Sequence, residues 1–131
     1  MKDIKSNLRF EHYIVDYVEF KNNPEFEGEE ATLQFEPIAE FNVEKEDLLV
    51  FLTINVFKDA VKHNYPFEMS VRVVGYFTLS GQEEIEKYKA NAVAVLFPYV
   101  RSIISTYTAL ANVNPLILPT VNINKMLLEN E

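Results

Sequence analysis

With 131 residues, 48% of them hydrophobic, the chain has the size of one ordinary domain and enough apolar side chains to fill its core. Its 20 acidic and 12 basic residues give a formal net charge of −8, which excludes the continuous basic surface that nucleic-acid binding requires. Cysteine is absent, so neither disulfide bonds nor thiolate metal sites contribute.

The opening of the chain does not have the pattern of a secretion signal. Asp3, Ser6 and Arg9 stand where the apolar core of such a signal would run. The longest uninterrupted apolar runs, residues 48–52 and 92–97, are far shorter than the ~20 residues that span a bilayer as a helix. We therefore expect a soluble cytosolic protein in which residues 1–131 form a single domain.

Alternating apolar side chains predict β-strands in the first half of the chain. The first strand spans residues 8–20, and the others span residues 31–36, 48–57 and 67–79. Because short connections join them, we expect one antiparallel sheet. Pro37 cannot donate a hydrogen bond to a neighbouring strand, so the second strand is predicted to end there or to lie at an edge.

Both faces of the first predicted strand carry bulky side chains. The odd-numbered positions contribute Tyr13, Val15 and Tyr17 to one face. The even-numbered positions are predicted to share a buried face, which comprises Leu8, Phe10, Ile14, Val18 and Phe20. Apolar surface beyond what one covering helix can bury indicates an interface, and we expect the protein to self-associate.

After Ser80 the hydrophobic period changes to three or four residues, which predicts a long helix that starts at residues 80–84. Pro98 falls inside this pattern and is expected to kink or restart the helix without ending it. Asn122 is predicted to cap a short final helix that runs through Leu128. The predicted fold class is therefore α+β, a four-stranded antiparallel sheet followed by a long helix and a short C-terminal helix.

One face of the predicted long helix carries a heptad-like apolar series. Ordinary packing within one chain explains such a series, and a helix-to-helix contact between subunits explains it equally well. We therefore take as a candidate oligomer interface Leu96, Val100, Ile103, Tyr107 and Leu110.

No constellation of residues predicts catalysis or cofactor binding. His12 and His63 lack a second ligand at a metal-site spacing, and the acidic stretch 25–30 lacks the spacing of a calcium loop. The glycines are far apart in sequence, which excludes a Gly-rich phosphate loop. We predict a protein that is not an enzyme and that uses neither a cofactor nor a metal.

Two motifs in the last third of the chain carry a family resemblance. Residues 96–101 read LFPYVR, and residues 115–123 read PLILPTVNI. They are similar to the SecB family, in which a helix containing LFPYAR leads to a P-x-L-x-L-x-PVNF loop and a closing helix. Residues 75–81, GYFTLSG, resemble the end of the fourth strand in that family. The order of the predicted elements matches the family over nearly the whole chain.

The resemblance implies an ATP-independent chaperone that holds unfolded or precursor polypeptides for protein export. It further implies a cytoplasmic homotetramer, a dimer of dimers with the long helices packed between the sheets. Clients would bind apolar grooves that accept their side chains, and the oligomer would make repeated weak contacts multivalent. We place the client-binding groove among Phe35, Ile38, Phe41, Leu118, Ile123, Met126 and Leu127.

The chain departs from the family in its link to the export motor SecA. Members of the family present acidic residues on the sheet to this motor, whereas the corresponding positions here fall near Tyr17, Lys21 and Ser70. A tail that many members use as a second motor contact is also not found after Glu131. Two alternatives therefore stay open: a SecB-like chaperone dedicated to one partner such as an antitoxin, and a scaffold or inhibitory subunit that binds a folded partner.

Overall fold

The computed structural model describes residues 7–80 and 85–130, which form one antiparallel sheet covered on one face by helices. The strands lie in the order β1-β4-β3-β2, which confirms the predicted α+β class with four strands, a long helix and a short final helix. The strands are β1 (Leu8–Asn22), β2 (Phe35–Glu44), β3 (Asp47–Val56) and β4 (Phe67–Leu79). The helices are α1 (Ala60–His63), α2 (Lys89–Leu110), which follows a 3-10 turn at Ile85–Tyr88, and α3 (Ile123–Glu129).

The core lies between the central strands and α2. Every second side chain of β3 and β4 is buried beneath the helix, and on α2 Leu96 and Val100 are fully buried against them. The helix and the sheet come close together at Gly75, where an added Cβ would lie only 2.7 Å from the methyl carbons of Leu96. A side chain at this position of β4 would therefore push α2 away from the sheet.

The register of β1 differs from simple alternation. Irregularities between Phe10 and His12 and between Val15 and Tyr17 each insert one extra residue relative to β4. Between them the parity is reversed, so Ile14 pairs with Val74 on the face away from α2, where it is 49% exposed. The prediction that Ile14 shares the buried face of Leu8, Phe10, Val18 and Phe20 was therefore wrong.

The second strand occupies Phe35–Glu44 and not the predicted residues 31–36. The carbonyl of Gln34 accepts a hydrogen bond from the N–H of Phe57, so even-numbered residues direct their backbone groups towards β3. Pro37 therefore directs its nitrogen away from β3, and the missing N–H removes no bond of the sheet. The expected edge position is confirmed, whereas the expected end at Pro37 was wrong.

The long connections that precede β2 and β4 are tied together by two asparagine side chains. Asn23, which is buried, donates from Nδ2 to the carbonyl oxygens of Ala60 and Tyr65. Asn64 pairs with both backbone groups of Glu27, at 2.9 Å to the carbonyl oxygen and 2.9 Å to the nitrogen. The stretch between β3 and β4 contains the single helical turn α1.

Helix α2 continues through Pro98, as predicted, because the ring lies on the exposed side of the helix. The predicted helix start at residues 80–84 lies, apart from Ser80, outside the described residues. By length and composition alone, Ile85–Leu110 is long and apolar enough to cross a membrane, contrary to the expectation that no segment is. Many apolar residues of this helix are buried against the sheet. A core helix of this kind is apolar for that reason.

The loop after α2 is anchored to the helix at Leu116. Ser105 donates from Oγ to the carbonyl of Leu116 at 2.8 Å, and the N–H of Leu116 donates to the hydroxyl of Thr108 at 2.9 Å. The same hydroxyl donates to the carbonyl of Ile104 at 2.8 Å, so it is satisfied although Thr108 is fully buried. These bonds determine where the loop leaves the helix and hence where α3 lies.

We expect Thr108→Val to lower the free energy of unfolding by about 1–3 kcal/mol, because it leaves the partly buried N–H of Leu116 without an acceptor. Urea unfolding measures the effect. Thr106→Val is the matched control, since Thr106 is exposed on the same helix, and its effect should stay within about 0.5 kcal/mol. Equal losses in the two variants would contradict this role of Thr108.

Candidate polypeptide-binding trough

Two neighbouring cavities follow the edge of β2 that faces away from β3, and we call them together the β2 trough. The larger, about 670 Å³, lies between β2, the start of α2 and α3. The smaller, about 480 Å³, lies between β2 and the start of α3. Both are open to solvent, and Asn130 contributes to the walls of both. The trough therefore runs along β2 with the end of α3 across its middle.

Apolar side chains form much of the trough. Phe35 and Val121 line the smaller cavity, and Phe41 and Leu127 line the larger one. Leu128, on the last turn of α3, also lines the larger cavity and is 69% exposed. Such surface suits the apolar side chains of another chain, because contact removes it from water.

Charges of both signs alternate around the trough. Lys89 lies with its Nζ 4.9 Å from the centre of the Phe41 ring, and the same atom is 2.7 Å from Oε1 of Glu86. The other charged lining residues are Glu36, Glu40, Lys87, Lys125 and Glu129. Because neither sign dominates, the charges of the lining give the trough no preference for a ligand of one sign.

The structure brings together four of the predicted groove residues. Phe35 and Met126 line the smaller cavity, and Phe41 and Leu127 line the larger one. Ile123 packs against the core from the first turn of α3. The role of these residues in client binding stays a prediction.

The other two predicted groove residues lie elsewhere. Ile38 pairs with Thr53, and its side chain lies on the sheet face away from α2. Successive side chains of a strand point to opposite faces, so even-numbered Ile38 lies opposite odd-numbered Phe35 and Phe41. Leu118 is fully buried in the core. Its place between exposed Ile117 and Pro119 shows that the loop folds inwards at this residue. The expectation that Leu118 offers accessible surface was therefore wrong for this conformation.

Sequence reasoning missed Asn130, Lys89 and Leu128. The N–H of Ala39 donates to Oδ1 of Asn130 at 2.9 Å, across 91 positions of the chain. No local pattern predicts a contact between residues so far apart. Leu128 lies within the predicted final helix, but its exposure was not predicted. In a helix of only seven residues, the apolar pattern does not distinguish the exposed side from the buried side.

A second apolar surface lies on the sheet face away from α2, which we call the outer sheet face. Ile14, Val74 and Phe51 form a row across β1, β4 and β3. The guanidinium carbon of Arg72 lies 4.9 Å from the centre of the Phe51 ring, and its Nε lies 3.5 Å from a carboxylate oxygen of Asp16. This face therefore combines partly exposed apolar side chains with an ion pair at one end.

The predicted oligomer-interface residues divide between two environments. Leu96 and Val100 are fully buried within the chain, so in this conformation they belong to its core and reach no other subunit. Ile103 is partly buried, whereas Tyr107 and Leu110 are exposed at the end of α2. The last three residues line a shallow depression along one flank of the helix, where the Tyr107 ring lies 5.5 Å from the ring of Phe20 on β1.

Each of the two histidines contacts a neighbouring residue of the fold. His12 stacks on Tyr76 with ring centres 4.4 Å apart, and the ring Nδ1 of His63 lies 3.2 Å from the carbonyl oxygen of Asp59. Among residues 7–80 and 85–130, no group of three or more acidic or histidine side chains is placed to hold a metal ion.

Comparison with known proteins assigns the family. A family model described as "Preprotein translocase subunit SecB" matches residues 12–131. The chain belongs to the SecB family. An uncharacterized protein of Methanocaldococcus jannaschii is 38% identical to this SecB-family chain. The alignment covers 94% of this chain and 84% of the relative. The family resemblance of residues 96–123 is thereby confirmed.

Solved structures show the same SecB-like fold. The SecB-like chaperone of Mycobacterium tuberculosis, in complex with a ChAD peptide from the HigA1 antitoxin, superimposes with a TM-score of 0.69 at 13% identity over 88% of both chains. A protein of unknown function from Streptococcus agalactiae gives a TM-score of 0.57 at 16% identity, over 86% of this chain and 97% of its own. At these identities the similarity establishes the fold.

Proposed function

We propose that this SecB-family protein is an ATP-independent holdase, which binds unfolded or precursor polypeptides in the cytoplasm and performs no covalent chemistry. The observation that carries the proposal is the β2 trough, an open channel along a strand edge whose lining mixes apolar and polar side chains. The structurally similar chaperone of Mycobacterium tuberculosis binds a peptide of an antitoxin. A channel with mixed charges and apolar walls suits extended chains of many sequences.

Self-association belongs to the same proposal. Tyr107 and Leu110 at the end of α2, together with Ile103, leave apolar surface along one flank of the helix, beside the contact of Tyr107 with Phe20 of β1. Contact between these surfaces in a dimer or a dimer of dimers removes them from water and presents several troughs to one client. Multivalent binding then holds a client through contacts that are individually weak.

Aggregation suppression tests the proposal directly. The purified protein, with its mass in solution determined by light scattering, is added without nucleotide to a chemically unfolded client at a near-stoichiometric ratio. We expect a dimer or tetramer that suppresses aggregation of several unrelated clients. A folded oligomer that suppresses none of them would overturn the holdase proposal.

The outer sheet face favours a second candidate function, the binding of one folded partner as a scaffold or inhibitory subunit. Its row of Ile14, Val74 and Phe51 is flat and lies away from the trough. A single saturable folded partner, with no effect on unfolded clients, would favour this function. Dedication to one antitoxin is a narrower form of the holdase, and binding of one client peptide among many tested would distinguish it.

Delivery of clients to SecA is not included in the proposal. Tyr17 and Ser70, which stand near the positions of the acidic motor contacts, lie side by side on the outer sheet face, with Ser70 Oγ 3.4 Å from the hydroxyl of Tyr17. Lys21 lies opposite Glu68 at the end of the same face. These side chains offer no carboxylate cluster to a basic partner.

A further inference from the structure

A cavity of about 320 Å³ lies on the outer sheet face, at the end of the sheet where β2 turns into β3. Leu49 and Tyr76 form an apolar part of its lining. The imidazole of His12 stacks on the Tyr76 ring, with ring centres 4.4 Å apart and 11° between the planes. The polar side chains of the lining are Glu11, Asn42, Glu44, Asp47 and Thr78. The cavity therefore combines a pair of stacked rings with carboxylates.

The strand register brings these side chains together from all four strands. One row across β1, β4, β3 and β2 comprises His12, Tyr76, Leu49 and Asn42. The next row, two positions along the strands, comprises Arg9, Thr78, Asp47 and Glu44. Because side chains two positions apart on a strand share a face, both rows stand on the outer sheet face. The cavity is therefore built on paired strands, which hold its lining in place.

Two of the carboxylates that line the cavity have no counter-charge within residues 7–80 and 85–130. Glu11 accepts a hydrogen bond from Oγ1 of Thr78 at 2.9 Å and lies 3.3 Å from Nε of Arg9. Glu44 and Asp47 stand directly opposite each other on β2 and β3, and no described side chain forms an ion pair with either. Like charges at directly opposite positions repel, so a cation bound between them stabilises the pair.

The cavity suits an organic cation better than a metal ion. Among the described residues no three acidic or histidine side chains are placed as metal ligands, and the volume between these carboxylates far exceeds that of one ion. A guanidinium group is planar, donates several N–H bonds to carboxylates and packs flat against aromatic rings. The carboxylates and the stacked rings of His12 and Tyr76 offer both kinds of contact together. An ammonium group has the same charge but no plane.

We propose that this cavity binds an alkylguanidinium group, carried by a free small molecule or by the arginine side chain of a partner protein. No residue of the cavity lines the β2 trough, so the inference does not depend on the holdase proposal. The cavity also lies at the opposite end of the outer sheet face from Tyr17 and Ser70, which stand near the positions of the motor contacts. It is therefore a separate site with its own ligand.

Titration of the wild-type protein with N-butylguanidinium tests the site. Amide chemical shifts in heteronuclear NMR spectra report the binding, and we expect them to change at Asp47, Leu49 and Tyr76 and to stay constant at Phe35 in the trough. Butylammonium carries the same charge on the same chain. We expect it to bind about two- to fivefold more weakly, because it lacks the planar contact with the rings.

A second set of titrations identifies the source of the guanidinium group. A short peptide with one arginine between glycines is expected to shift the same amides, whereas the peptide with citrulline, which has the same shape without the charge, is expected to shift none. Tighter binding of the arginine peptide than of N-butylguanidinium would support a partner protein as the source. The reverse order would support a free small molecule.

Removal of the two carboxylates without a counter-charge tests their role. We expect the double variant Glu44→Gln, Asp47→Asn to lose about fivefold or more in affinity for N-butylguanidinium at low ionic strength, because two ion pairs with the ligand are no longer formed. The matched control is the double variant Glu29→Gln, Glu30→Gln. It removes the same charge from exposed positions that do not line the cavity, and its affinity should equal that of the wild-type protein.

Substitution of the aromatic wall tests the preference for a planar cation. Tyr76→Leu keeps an apolar side chain at this half-buried position, and we expect it to bind N-butylguanidinium no more tightly than butylammonium. Tyr17→Leu is the matched control, since Tyr17 is a half-buried tyrosine of the same sheet face that does not line the cavity. This variant should keep the preference of the wild-type protein.

Three results would overturn the inference. The first is a wild-type protein that binds neither N-butylguanidinium nor the arginine peptide. The second is an equal loss of affinity in the two double variants, which would show attraction to the net negative charge alone. The third is equal affinity of the wild-type protein for N-butylguanidinium and butylammonium. None of these results bears on the suppression of aggregation, so the holdase proposal is tested separately.

Discussion

Leu118→Ala is expected to lower the free energy of unfolding by about 2–5 kcal/mol, as the urea midpoint will show. The side chain of Leu118 is fully buried, so truncation removes contacts with the core and leaves a cavity where the loop meets it. The same loop positions α3 and hence one wall of the trough. Loss of stability is therefore expected to be accompanied by faster proteolysis between α2 and α3.

The neighbouring residue provides the control for Leu118. Ile117 is 73% exposed, and Ile117→Ala should change stability by no more than about 0.5 kcal/mol. Leu118→Asp is expected to prevent folding, because it buries a carboxylate without a partner. A Leu118→Ala protein as stable as the Ile117→Ala protein would show that the loop does not contribute to the core.

Leu128→Asp is expected to weaken binding of unfolded clients by about tenfold or more, or ~1.4 kcal/mol. Leu128 lines the larger cavity and is largely exposed, so the substitution should leave the fold intact. The loss arises because a client that covers residue 128 no longer buries a leucine side chain and instead desolvates a carboxylate. Anisotropy with a labelled unfolded client measures the dissociation constant.

Val61→Asp is the matched control for the trough. Val61 is 57% exposed on α1, and the substitution adds the same charge at a site that lines neither cavity of the trough. Its client affinity should equal that of the wild-type protein. If both variants lose affinity equally, the added negative charge would be responsible wherever it lies. This result would contradict client binding in the trough.

The fold was largely predictable where side-chain alternation was uninterrupted. The prediction for β4 has the observed bounds, because Met69, Val71 and Val73 alternate with polar or partly exposed neighbours throughout. In β1 the faces predicted from alternation were wrong between the two irregularities, because an extra residue in one strand can be recognised only from its pairing with the neighbouring strand. In β2 the predicted end at Pro37 was wrong, because a proline interrupts a strand only where its nitrogen faces a neighbouring strand.

The site was predictable in part. Phe35, Phe41, Met126 and Leu127 were placed in a groove on the strength of the family resemblance, and they line one trough. What the sequence does not carry is the direction in which the loop turns, and this decides that Leu118 is buried. The amide of Asn130 was equally hidden, because its partners on β2 are brought near it only by the complete fold.

Pro37 has a further consequence for a protein with an accessible strand edge. Such edges allow identical molecules to join edge to edge and to grow into β-rich aggregates. Since the nitrogen of Pro37 carries no hydrogen and points outwards from this edge, an unbroken ladder between two copies would lack a bond at that position in each. The edge is thus poorly suited to polymerisation of the protein with itself.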